Sequence, residues 1–116
     1  MLEESAPISG DRRLVTILFA DVVGSTAWAE RVDPEEWAEI MNTGLRLMIP
    51  AVTRYEGTVA RLMGDGLLAL FGAPVAHEDD AERAVLAALA IRAAAAEYAT
   101  ELAPRYGTEF AVRVGI

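Results

Sequence analysis

The chain has 116 residues, a net charge of −8, no cysteine and an apolar fraction of 53%. With a mean hydropathy of +0.27, that is enough for one domain with a packed core. The composition excludes disulfides, zinc thiolates and thiol nucleophiles, argues against a nucleic-acid surface, which needs clustered cations, and contains no apolar run near the roughly 18–20 residues of a membrane span. The acidic start Met1-Leu2-Glu3-Glu4-Ser5 is not a secretory signal, so a cytoplasmic protein is expected. All ten basic residues are arginine, which together with the abundant alanine reads as a GC-rich coding bias.

Residues 1–12 read as a loose leader and 13–116 as one domain. The apolar run Leu14–Ala20 predicts a strand ending at Asp21. Both of its faces are apolar, so both are expected to be covered. Asp33-Pro34-Glu35-Glu36 is a helix start: Asp33 suits N-cap, Pro34 suits N1, and Glu36 completes a capping-box pattern. Trp37, Ile40, Met41, Met48, Val52 and Tyr55 follow at helical spacing. Pro50 should kink this helix and Gly57 should stop it.

Two strands, Thr58–Met63 and Leu67–Phe71, flank the turn Gly64-Asp65-Gly66. A second helix is expected from about Ala81 to Ala103, with Ala84, Ala88, Ala95 and Ala99 close to the sheet and Val85, Leu89 and Leu102 supplying bulk. Pro104 and Gly107 end it. Residues 109–116 form a closing strand. The β-α-β-β-α-β order predicts an α+β, ferredoxin-like sandwich: an antiparallel sheet with two helices on one face.

In that topology the third strand lies between the first and second. Asp21 and Asp65, remote in sequence, should therefore meet at one sheet edge. Two carboxylates so placed suit hard divalent cations such as Mg²⁺, and paired ions can activate an attacking oxygen and clamp a triphosphate. Backbone N–H groups of Gly24-Ser25-Thr26 would serve phosphate oxygens. Each acid alone has a simpler role, in a hairpin or a turn cap; the pairing favours metal. His77 reads as structural or solvent-exposed, Trp28, Trp37 and Tyr55 as packing, and Glu78-Asp79-Asp80 as complementing a helix dipole.

At Phe19-x-Asp21-Val22-x-Gly24-Ser25-Thr26, Gly57-Thr58-Val59, Gly64-Asp65-Gly66-x-x-Ala69-x-Phe71-Gly72 and Val112-Arg113-Val114-Gly115-Ile116, the chain resembles the catalytic domain of class III adenylate and guanylate cyclases. The resemblance runs from about Arg13 to Ile116. It implies conversion of ATP, ahead of GTP, to a 3′,5′-cyclic nucleotide and pyrophosphate for intracellular signalling, assisted by two Mg²⁺ or Mn²⁺ ions. By resemblance Asp21, Asp65 and the main-chain carbonyl of Val22 hold metal, while Gly24, Ser25, Thr26 and Gly64 face the nucleotide. It also implies a homodimer that shares its site across the interface.

Arg61 stands where the family commonly has a base-reading lysine. Base preference stays open there, because the absence of lysine throughout the chain explains the arginine equally well. The family's second base reader, its ribose-orienting asparagine and its transition-state arginine are expected after Ile116, so turnover is expected of the complete domain and not of these 116 residues alone. The alternative reading is an inactive nucleotide-binding or dimerisation module of a larger signalling protein. A diguanylate cyclase is disfavoured, since Gly64-Asp65-Gly66 does not match that family's Gly-Gly-Asp/Glu-Glu-Phe turn.

Overall fold

The computed structural model describes residues 13–107 and 109–116; the leader expected over residues 1–12 lies outside them. The elements are β1 (Thr16–Val23), α1 (Ser25–Arg31), α2 (Pro34–Arg54), β2 (Thr58–Leu62), β3 (Gly66–Phe71), α3 (Asp80–Tyr106) and β4 (Ala111–Gly115). The four strands form one sheet in the order β2-β3-β1-β4, and its three pairings are all antiparallel. This is the predicted ferredoxin-like arrangement, with β3 between β1 and β2, plus the short helix α1.

β1 continues past its expected end. Asp21, Val22 and Val23 pair with Arg113, Val112 and Ala111 of β4, so the strand is hydrogen-bonded beyond the point where its apolar run stops. Its two faces diverge in burial. Leu18, Ala20 and Val22 are buried under α2 and α3, whereas Ile17, Phe19 and Val23 are exposed. The expectation that both faces are covered fails within this chain, because the helices lie on one side only.

Helix α2 starts as its sequence predicts. The Asp33 carboxylate accepts from the Glu36 N–H at 2.8 Å, satisfying one of the orphan donors of the first turn. The Glu36 side chain does not complete a capping box. Its Oε2 accepts instead from the Tyr106 hydroxyl at 2.6 Å, tying the start of α2 to the end of α3. The helix runs through Pro50 to Arg54, and the left-handed residue after it is Glu56 (φ 66°). Gly57 has a packing role: a Cβ there would meet the Phe71 ring at 2.5 Å.

Helix α3 presents Ala84, Ala87, Ile91, Ala95, Tyr98 and Leu102 to the core, a 3-4-4-3-4 spacing that keeps one stripe inward. Leu102 is buried as expected, but Val85 and Leu89 are exposed. Ala84 and Ala95 are buried and Ala88 and Ala99 pack against the core, as the spacing predicts, so the failure is confined to the two bulky residues one position on from Ala84 and Ala88. Pro104 lies inside the last turn, and Gly107 (φ 65°) is the left-handed C-cap. Among the described residues no helix is long and apolar enough to cross a membrane.

The core has two lobes. One packs Leu18, Met48, Val52, Leu67, Phe71 and Ile91 between sheet and helices. The other gathers Trp28, Val22, Ile40, Tyr98 and Phe110 around the end of β1. Ile91→Ala should therefore cost about 2–5 kcal/mol in urea unfolding, whereas Leu89→Ala should stay within about 0.5 kcal/mol of the parent. Equal losses in the two variants would contradict this orientation of α3.

Candidate active site

β1 delivers Asp21 to the far end of the sheet, and the β2–β3 turn folds back onto it. Asp21 pairs with Gly66 in the β1–β3 register. One residue further, the Val22 N–H donates to the carbonyl of Asp65 at 2.8 Å. The tip of the turn is thus bonded directly to the strand that carries the other acid. The turn itself closes through the Met63 N–H, which donates to the Gly66 carbonyl at 2.8 Å.

The two glycines of the turn do different work. A Cβ on Gly66 would press into the Ala20 carbonyl oxygen and meet Asp21 Cβ at 3.0 Å, while one on Gly64 would find open space. Gly66 therefore permits the close approach of β3 to β1 at Asp21. Neither has the positive φ that a two-residue hairpin turn would require.

The carboxylate of Asp21 is unevenly satisfied. Its Oδ2 accepts from Arg113 Nη2 at 2.9 Å, across the register pair Asp21–Arg113. Its Oδ1 is buried and has no hydrogen-bond partner. A buried, unpartnered carboxylate oxygen is costly unless something binds it. The hydrogen bond to Asp21 also holds the Arg113 guanidinium further above its already high range, and the nearby negative charge adds to this. Asp65 is exposed at the turn tip.

After Val23 the chain turns through Gly24, a left-handed residue (φ 76°) at the N-cap of α1. Ser25 and Thr26 form the first turn of that helix, an element the sequence reading did not include. α1 is fixed by Trp28, which is fully buried, stacks on Trp37 at 5.3 Å and donates from Nε1 to the Glu109 carbonyl at 3.0 Å. That anchor holds Gly24, Ser25 and Thr26 in place beside the end of β1.

Arg61 reaches the same face as Asp21 through a β-bulge. The β2–β3 register shifts between Val59 and Arg61, so that Arg61 opposes Leu68, which opposes Phe19. Strict alternation from Thr58 would have turned Arg61 toward the helices. The extra residue re-aims it to the open face, although β3 separates it from Asp21.

His77 bridges Asp80 Oδ1 at 3.1 Å and Glu56 Oε1 at 3.2 Å, consistent with a structural role. Asp79 pairs with Arg83 at 2.8 Å, and this hydrogen bond lowers its pKa. Asp79 and Asp80 are thus engaged in local pairs at the start of α3.

Comparisons with known proteins agree with this fold. The adenylate and guanylate cyclase catalytic domain matches residues 9–116. The chain belongs to that family. Among solved structures, the guanylyl cyclase Cya2 superposes with a TM-score of 0.83 at 36% identity, over 93% of this chain and 55% of that one. The adenylyl cyclase CyaB from P. aeruginosa gives 0.81 at 26% identity, over 87% and 53%. The uncharacterized protein Rv1320c of Mycobacterium tuberculosis is 33% identical over 93 residues, 78% of this chain and 16% of that protein. The chain thus spans about half of those cyclase structures and a minor part of the curated relative.

Arg113 and Gly66 lie within the motifs that carry the family resemblance, yet the sequence alone points to no separate role for either. Arg113 stands between Val112 and Val114 at the opposite parity, the signal of a charge on the other face, but only the β1–β4 register identifies its partner. Gly66→Ala should lower stability by about 1–3 kcal/mol through overpacking against β1, while Gly64→Ala should unfold within about 0.5 kcal/mol of the parent. Thermal unfolding of both variants checks this, and a tolerated Gly66→Ala would contradict the close approach.

Proposed function

We propose that this domain forms a 3′,5′-cyclic nucleotide and pyrophosphate from a nucleoside triphosphate, with ATP preferred over GTP, as a homodimer in the cytoplasm. The observation that carries the reading is the Val22–Asp65 backbone bond, which juxtaposes two acidic residues at one strand end inside a cyclase-family fold. Asp21, Asp65 and the Val22 carbonyl form an all-oxygen donor set suited to Mg²⁺ or Mn²⁺. The unpartnered Asp21 Oδ1 fits that use, since a buried anionic oxygen calls for a cation. Two such ions, when bound, would polarise phosphoryl oxygens and make the ribose 3′-oxygen a better nucleophile toward the α-phosphorus.

The remaining roles fall to this chain's own residues. Gly24, Ser25, Thr26 and Gly64 offer backbone and small side chains to the triphosphate, and a side chain at Gly64 would fill space now open. Arg61, aimed to the open face by the bulge, is the candidate for reading the base. The open face also carries Ile17, Phe19 and Val23 exposed, with Leu68 and Leu70 on the same side by register. An uncovered apolar sheet face of this kind supports pairing with a second copy.

The test is to supply ATP and GTP separately with Mn²⁺ to a full-length cyclase domain carrying this chain and to identify the products. Asp21→Ala and Asp65→Ala should each reduce cyclic nucleotide formation by about a hundredfold or more while leaving the fold intact by circular dichroism. Near-parental turnover in either variant would refute the metal assignment. Arg61→Lys should shift the ATP/GTP preference by on the order of tenfold. An unchanged ratio would reduce Arg61 to a product of coding bias.

A further inference from the structure

Arg113 donates to one oxygen of Asp21 and leaves the other bare. Guanidinium commonly takes a carboxylate through both oxygens as a fork. Here Nη2 meets Oδ2 at 2.9 Å, while Oδ1, buried, has no partner. The side chains differ in exposure: Asp21 is 13% exposed and Arg113 is 73% exposed. The carboxylate is therefore fixed in the strand end, and the cation that holds it comes from the solvent side. The two face each other directly across the β1–β4 register, where opposite charges attract and need no turn or loop to bring them together.

We propose that Arg113 is a built-in counter-cation of this site: it holds Asp21 while no metal is bound, and an arriving divalent ion must compete with it for the carboxylate. This rests on the reading of Asp21 as a metal ligand. A mostly buried carboxylate without any cation would be strained electrostatically, so the arginine keeps it oriented in the resting domain. The same positive charge, a few ångströms from the carboxylate, opposes a second cation. An exposed ion pair is weak, and a long arginine side chain can leave it at little cost. Arg113 thus lowers metal affinity without blocking the site, so that loading depends on the concentration of divalent ion.

The test titrates Mn²⁺ into the full chain without nucleotide, at low ionic strength, reading free Mn²⁺ by electron paramagnetic resonance. Arg113→Gln should bind Mn²⁺ about 3–5-fold more tightly than the parent, the upper part of the range expected when one charge of an exposed pair is removed. Arg113→Lys, which keeps the charge, should stay within about 1.5-fold of the parent. In an Asp21→Asn background, Arg113→Gln should give no gain. Unchanged or weaker binding in Arg113→Gln overturns the inference, as does a tightening in Arg113→Lys equal to that in Arg113→Gln, or a gain that persists without the Asp21 carboxylate. If Asp21→Asn itself binds Mn²⁺ as the parent does, the metal reading of Asp21 fails, a result distinct from the failure of the Arg113 proposal.

Discussion

The bond from the Val22 N–H to the Asp65 carbonyl is the constraint on which the candidate site depends. It is a backbone bond, so the approach of the two acids is set by main-chain geometry and not by flexible side chains. It forms only because β3 can begin flush against β1, and that in turn requires no side chain at Gly66. A single missing Cβ thus links the hairpin turn to the position of Asp21. Sites built on strands hold their groups more tightly than sites on loops, because every neighbouring backbone group is already paired.

Around that junction the fold separates two faces of different character. The helix face is dry and filled, with Leu18, Leu67, Phe71 and Ile91 fully buried. The open face mixes exposed apolar groups with a few charges, among them Asp21, Arg61 and Arg113. Parity puts them there: Asp21 shares its face with Ile17 and Phe19 along β1, Arg113 opposes Asp21, and the bulge in β2 brings Arg61 round. Charges on an apolar face interact more strongly than the same charges in water.

The fold was largely legible in the sequence because its strongest signals are local. Asp33-Pro34 states a helix start in terms of cap chemistry, and the cap bond is there. The strand order followed from chain topology and one turn. What escaped the sequence were features set by partners far along the chain. α1 is seven residues long, too short to stand alone, and owes its position to Trp28 packing against Trp37 and Tyr106. The bulge near Ala60 leaves no compositional mark. In helix α3 the inward alanines and Leu102 lie where the spacing puts them, and only Val85 and Leu89 fall outside, because alanine on every side blurs the edges of the stripe. At the site, Asp21 and Asp65 were readable as a pair, but Arg113 was not, since its partner is fixed by the β1–β4 register alone.

These features together suggest why the ends of β1 and β4 matter as much as the hairpin. Asp21 is held from both sides of its strand, by Gly66 on β3 and Arg113 on β4. The β3 contact is a matter of shape and cannot yield without moving the backbone. The β4 contact is a side-chain ion pair on an exposed arginine and can be exchanged without disturbing the sheet. On the metal reading proposed for Asp21, a carboxylate gripped rigidly on one side and reversibly on the other would keep its place while its cation changed. If a second copy covers the open face, water is excluded from that exchange, and the competition between guanidinium and divalent ion becomes steeper, because the screening that weakens an exposed pair is lost.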